Sequence, residues 1–181
     1  MKHLARAFTF LALLAVFLAT PLLAQEAPSP WKAGDDVYAF DVGFTNTAAL
    51  GKDVDVTGTW LHYAADNHRT GVTLLYLNND AGAGYGLGPS YEFLLPKLKY
   101  GRLGIGGDAS MLGQDLDEAG AIAASTRLFY EFYVGTTAAV RFQARYLEAI
   151  GGGDPAVEDQ VNQYGLNIGI LLGKTQAAAI Q

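Results

Sequence analysis

The residues that could do chemistry are few and poorly grouped. Past the first two dozen positions the only histidines are His62 and His68, six residues apart, with no serine or acid at a spacing that would set up a nucleophile and its base. Two lone histidines beside a turn read more simply as interfacial residues. Gly82, Gly84, Gly86 and Gly88 form a glycine-rich stretch, but no Gly-Lys-Ser/Thr follows, so it is not a phosphate loop. Glycine on alternate positions instead makes room on one face of a strand. Acidic runs at Asp115, Asp117 and Glu118 and at Asp154, Glu158 and Asp159 offer hard oxygen ligands, yet match no cation-loop pattern. The sequence therefore points to no enzyme, cofactor or metal site.

A different set of charges is patterned. Asp41, Glu92, Arg102, Asp108, Arg127, Glu131, Arg141 and Arg145 each fall on the polar side of a stretch whose other side is Leu, Ile, Val, Phe or Tyr. The chemistry available to them is mutual ion pairing, because an unpaired charge in a closed space costs several kcal/mol. Folding adjacent stretches onto one another about Lys97 sets Glu92 opposite Arg102. Folding about Gly135 sets Glu131 diagonal to Arg141, and Arg102 and Glu131 become diagonal neighbours if the 114–117 loop is a turn. The expected network is a chain, Glu92–Arg102–Glu131–Arg141, acting as a plug; an ion path is the alternative.

The elements that must carry these charges have period two rather than 3.6. Tyr38, Phe40, Val42 and Phe44 alternate with Ala39, Asp41, Gly43 and Thr45 in the first. A second runs from about Val54 to Tyr63, where Trp60 and Leu61 compete for one side. Val72, Leu74 and Tyr76 mark a third; Tyr85, Leu87, Tyr91 and Phe93 a fourth; Leu103, Ile105, Ala109 and Met111 a fifth. Ile122, Leu128, Tyr130 and Phe132 mark a sixth; Val140, Phe142 and Tyr146 a seventh; Tyr164, Leu166, Ile168 and Ile170 an eighth. Eight such strands fit a small even-numbered barrel with lipid on one face and a polar lumen on the other. Connections after the even strands are short, at 65–68, 96–99 and 135. Those after the odd strands are expected to be longer, at 45–53, 78–82, 113–118 and 150–160, and the last, with Gly151–Gly153 and Asp154-Pro155, is the expected contact surface for an extracellular ligand.

Aromatic residues gather into two bands once alternate strand ends are matched. Tyr38, Tyr63, Tyr91, Phe93, Tyr100, Tyr130 and Phe132 lie toward the short turns, and Phe44, Tyr76, Tyr85, Tyr146 and Tyr164 toward the loops. Rings of this kind sit at the two interfaces of a bilayer.

The N-terminus reads as an export signal at 1–24: Lys2, His3 and Arg6, then apolar Phe8 to Ala19, then Pro21 and Ala24 before Gln25. A linker at 25–35, the barrel at 36–174 and a tail at 175–181 follow. Cysteine is absent, so neither disulfides nor a lipidated cysteine is available. Removing the signal leaves 10 basic against 18 acidic residues, a net charge of −8, which does not suit a nucleic-acid binder.

With strand count, girdles, lumen charges and the closing segment QYGLNIGILLGK in view, the chain resembles the small eight-stranded outer-membrane proteins of the OmpX and OmpA membrane-domain type, over about Asp36 to Lys174. A weaker similarity, to the YfaZ-like outer-membrane family, lies in GTWLHYAADNHRTG. The resemblance implies an all-β, up-and-down antiparallel transmembrane barrel in the outer membrane, in contact with lipid and delivered by the barrel-insertion machinery. It also implies an aromatic residue at the end of the last strand, where this chain has Leu171-Leu172-Gly173-Lys174. Members of such groups differ in role, so three functions stay open: a structural, envelope-supporting or surface-contact barrel; a small channel for ions or apolar solutes; and a soluble periplasmic carrier of lipocalin type, which would need the reverse facing.

Overall fold

The computed structural model describes residues 30–47, 51–79, 82–98, 100–113, 120–151, 161 and 163–174. The stretches expected to be signal peptide and C-terminal tail, and the acidic groups of the two longest connections, lie outside these residues. The alternating segments form eight strands: β1 (Asp36–Thr47), β2 (Gly51–Ala65), β3 (His68–Asn79), β4 (Gly82–Leu98), β5 (Gly101–Gly113), β6 (Ala121–Val134), β7 (Ala138–Gly151) and β8 (Gln163–Lys174). Each is antiparallel to its sequence neighbours, and β8 pairs with β1 to close the barrel. Closure removes the open edge that a flat eight-stranded sheet would expose.

The stagger follows from the register. Partners of Asp36, traced through His62, Thr70, Tyr91, Gly107, Thr126, Tyr146 and Tyr164, return to β1 at Asn46, ten positions along the strand. With ordinary strand spacings, eight strands and that stagger correspond to a tilt of about 40° and a backbone radius of about 8 Å. Such a lumen has room for side chains and little else.

Three features differ from the sequence reading. The strands have 12 to 17 residues, and β1 to β4 take in much of the connections expected between them. Only positions 48–50 separate β1 from β2, and 80–81 separate β3 from β4, so the connections expected at 45–53 and 78–82 are shorter than the sequence suggests. On β2, alternation places Asp55, Thr57, Thr59, Leu61 and Tyr63 inside and Trp60 outside. Tyr63, assigned by its position to the aromatic band, is fully buried in the lumen: it shares parity with Leu61, not with Trp60.

The expected linker also carries structure. From Pro30 onward it folds back against the short-turn mouth, and Trp31 is buried there.

Candidate functional site: a charged lumen between two apolar lids

All eight lumen charges inferred from alternation are buried inside the barrel, joined by Asp55 and Arg69. Their pairing is set by the barrel's cross-section more than by its hairpins. Arg141 donates two hydrogen bonds to Glu92 across the lumen, at 2.9 and 3.0 Å, and a third to Glu131 on the neighbouring strand at 2.7 Å. Arg69 reaches the same two carboxylates, Glu131 at 2.6 Å and Glu92 at 3.0 Å. Arg127 links Glu92 at 3.3 Å to Asp108 at 3.4 Å, and Arg145 links Asp108 at 3.7 Å to Asp55 at 3.3 Å. Asn167 donates to Asp55 at 2.7 Å, and Ser110 and Ser125 both donate to Asp108. The result is a continuous run, Arg69–Glu131–Arg141–Glu92–Arg127–Asp108–Arg145–Asp55, in which four cations meet four carboxylates.

Every cation in that run is arginine. The planar guanidinium donates in several directions at once and is less strongly hydrated than an ammonium, so it suits a closed site where each carboxylate oxygen needs a donor. Aromatic faces complete the lower part. The Phe129 ring lies beneath Arg141 at 4.5 Å and Arg69 at 5.6 Å, and Tyr63 takes Arg69 on its ring at 5.1 Å. Glycines make room for the carboxylates: a Cβ at Gly169 would sit 2.1 Å from an Asp41 oxygen, and one at Gly43 would sit 2.0 Å from an Asp55 oxygen.

Arg102 departs from the expected chain. A register irregularity between Leu94 and Lys97 sets Glu92 opposite Gly106 and Arg102 opposite Lys97. Arg102 therefore lies at the short-turn mouth, where it donates to the carbonyls of Leu95 at 2.7 Å and Asp66 at 2.6 Å. It stands directly across from Glu131 in the β5–β6 register, yet Glu131 is taken by Arg69 and Arg141. Glu131 and Arg141 are likewise directly opposed rather than diagonal.

Asp55 and Arg69 are the charges that sequence reasoning missed. Asp55 was hidden by the Trp60–Leu61 ambiguity of β2. Arg69 directly follows the connection expected at 65–68, and its parity with Gly71 and Thr73 is the signal that places it inside.

Apolar clusters close the charged layer at both ends. Toward the short turns, Trp31, Val37, Ala39, Leu61, Tyr63, Leu94, Phe129, Ala139 and Leu171 pack together. Toward the loops, Leu75, Leu77, Leu112, Ala123 and Leu147 pack with Val161, which enters from the β7–β8 connection. Outside, the order is reversed. Phe40, Leu74, Leu87, Ile105, Leu166 and Ile168 are each more than half exposed, an apolar exterior that water does not favour. This is the opposite of the facing that a soluble carrier needs.

The outward aromatics occupy the strand ends. Tyr76 meets Tyr85 across β3 and β4 with tilted rings 5.3 Å apart between centroids, and Tyr146 meets Tyr164 across β7 and β8 at 4.8 Å; with Phe44 these mark the loop end. Tyr100 meets Phe132 at 6.3 Å at the other end, where Tyr38, Tyr91, Phe93 and Tyr130 also face out. Trp60, opposite Tyr38, joins this lower group. The two histidines belong to the same rim: His68 bonds the Tyr91 hydroxyl, and His62 pairs with Asp36 at 3.0 Å.

A closed eight-stranded sheet with a charged inside and an apolar, aromatic-banded outside is the fold of the small outer-membrane β-barrels. Solved structures of this fold resemble the chain at low sequence identity. Neisserial surface protein A matches with a TM-score of 0.55 and 14% identity, over 78% of this chain and 98% of that one. The N-terminal β-barrel domain of OprF from Pseudomonas aeruginosa matches at 0.53 and 10%, over 79% and 100%. A de novo designed transmembrane β-barrel matches at 0.53 and 12%, over 83% and 100%. No protein-family description matches the sequence, and no curated protein matches it.

Proposed function

We propose that the chain is an integral outer-membrane protein with a structural, envelope-supporting or surface-contact role, and that it is neither an enzyme nor an open pore. The single observation that carries this reading is the reversal of polarity: apolar side chains face outward around the barrel while charges lie within, between two apolar lids. Outward leucines and isoleucines are stable in hydrocarbon, and the aromatic bands match its two interfaces. By the general rule for such barrels the short turns face the periplasm and the β5–β6 and β7–β8 connections, at 114–120 and 152–162, face outward. These two connections are the surface on which an external ligand or neighbouring molecule would be met. Lipid is the constant partner, and delivery would fall to the barrel-insertion machinery, with Leu172-Gly173-Lys174 in place of a terminal aromatic residue.

Migration of the outer-membrane fraction in detergent, boiled against unboiled, tests the placement. A compact, fast unboiled band is expected. Recovery in the soluble periplasm with no shift would remove the proposal. Planar-bilayer recording tests the closed lumen: steady conductance from the intact protein would favour a small channel instead.

A further inference from the structure

We propose that residues Pro30–Asp35 form a built-in stopper, with the Trp31 indole as its head, which seals the short-turn mouth and ties the last strand to the first. The inference rests on the closed-lumen reading above and adds to it a seal at one mouth. The segment is held at several points. Asp35 caps its own turn by accepting from the Lys32 amide at 2.9 Å, and the Asp35 amide returns a bond to the Lys32 carbonyl at 3.0 Å. Gly34 has φ of +92°, a conformation that suits glycine, and its amide donates to the Tyr63 carbonyl at 2.9 Å. The Tyr63 amide donates to the Asp35 carbonyl at 2.9 Å, and the Ala33 amide to the Asp66 carboxylate at 2.9 Å. This is a specific fold-back onto the end of β2.

The head of the segment fits a seat made by distant strands. Trp31 is 2% exposed and the largest of the fully buried side chains. Its ring meets Tyr133 of β6 edge-on, with centroids 6.2 Å apart at 90°. At Gly173 of β8 an added Cβ would lie 2.0 Å from the indole Nε1, so the last strand leaves the space that the ring fills. Val37 of β1 pairs with Gly173, and the next inward layer is Ala39, Leu171 and Ala139. Beyond that lies Arg141, with Asp41 and Gly169 beside it. Trp31 thus stands between the mouth and the charged layer, across the β1–β8 seam. A ring of that size fills much of a lumen only about 8 Å in backbone radius.

The test uses the full chain, which has no cysteine, so an introduced thiol is unique. Ala39→Cys places it one layer beneath the indole. Purified protein in micelles is treated with a positively charged methanethiosulfonate, and the rate of modification is read by mass. With Trp31 present the thiol is expected to react slowly; adding Trp31→Ala should speed it by about tenfold or more, as removal of a local barrier does. Trp31→Phe should keep the protection. Gly173→Ala, which retains Trp31 but puts a methyl group in its seat, should speed the reaction as well, and it serves if Trp31→Ala fails to fold. Equal rates with and without the indole would overturn the stopper. Conductance of the intact protein would overturn the closed lumen and the seal with it; equal thiol rates in a protein that does not conduct would overturn the stopper alone.

Discussion

Arg141 binds both Glu92 oxygens and one oxygen of Glu131 with no exposed surface. Removing it leaves two buried carboxylates short of a cation. Arg141→Ala is therefore expected to cost about 3–5 kcal/mol, the usual penalty for breaking a buried pair from one side. Urea unfolding of the refolded barrel in micelles measures it. Arg141→Lys should recover only part of the loss, because an ammonium cannot serve both oxygens of one carboxylate and a second carboxylate with the same geometry. An unchanged unfolding midpoint in Arg141→Ala would mean that the network does not set stability. Most of this site was legible in the sequence, since alternation alone put eight charges on the polar face. Asp55 and Arg69 escaped because one lies on a strand with two large apolar neighbours competing for a side, and the other begins a strand beside a turn.

At the scale of the element, the β6–β7 hairpin depends on Gly135, whose φ is +80° and whose Cβ position is open space. The cost of a side chain there is conformational rather than steric crowding by neighbours. Gly135→Val is expected to lower stability by about 1–2 kcal/mol through the left-handed conformation alone. Denaturant midpoints of the two proteins give the difference, and no loss would show that the turn relaxes into another form. The outward face responds to a different force. Val42 lies near mid-height of β1, between Tyr38 and Phe44, and is turned outward. Val42→Arg should cost about 2–4 kcal/mol in a lipid bilayer. The same change should be far milder in a water-surrounded barrel, so unfolding from vesicles discriminates between the two settings. Strand facing was readable from period two on every strand but β2. Loop lengths were not, because sequence pattern cannot tell a hairpin's last paired residues from the first residues of a loop when both are polar.

In the whole molecule, a charged layer is stacked between two apolar ones along the barrel axis, and the three act in series. Loss of one cation should therefore destabilise the barrel before it opens it. Arg141→Ala is expected to show no steady conductance in planar bilayers despite its lower stability, since both lids remain. Steady current from that single variant would show that the charged layer alone closes the lumen. Period-two alternation, the absence of a long apolar run after residue 24 and the matched aromatic ends were enough, from sequence, for a barrel of eight strands with an apolar exterior. That follows from physics local to each strand: neighbouring side chains must point to opposite faces, and lipid and lumen demand opposite polarity. The pairing of Glu131 with Arg141 follows from the β6–β7 hairpin, but the pairs that span the lumen were decided only by closure. Closure sets β4 across the lumen from β7 and β3 across it from β6, so Glu92 finds Arg141 and Arg69 finds Glu131, contacts that no hairpin between adjacent strands contains. The seat of Trp31 likewise exists only once the last strand has come round to the first and Gly173 lies where the indole needs space.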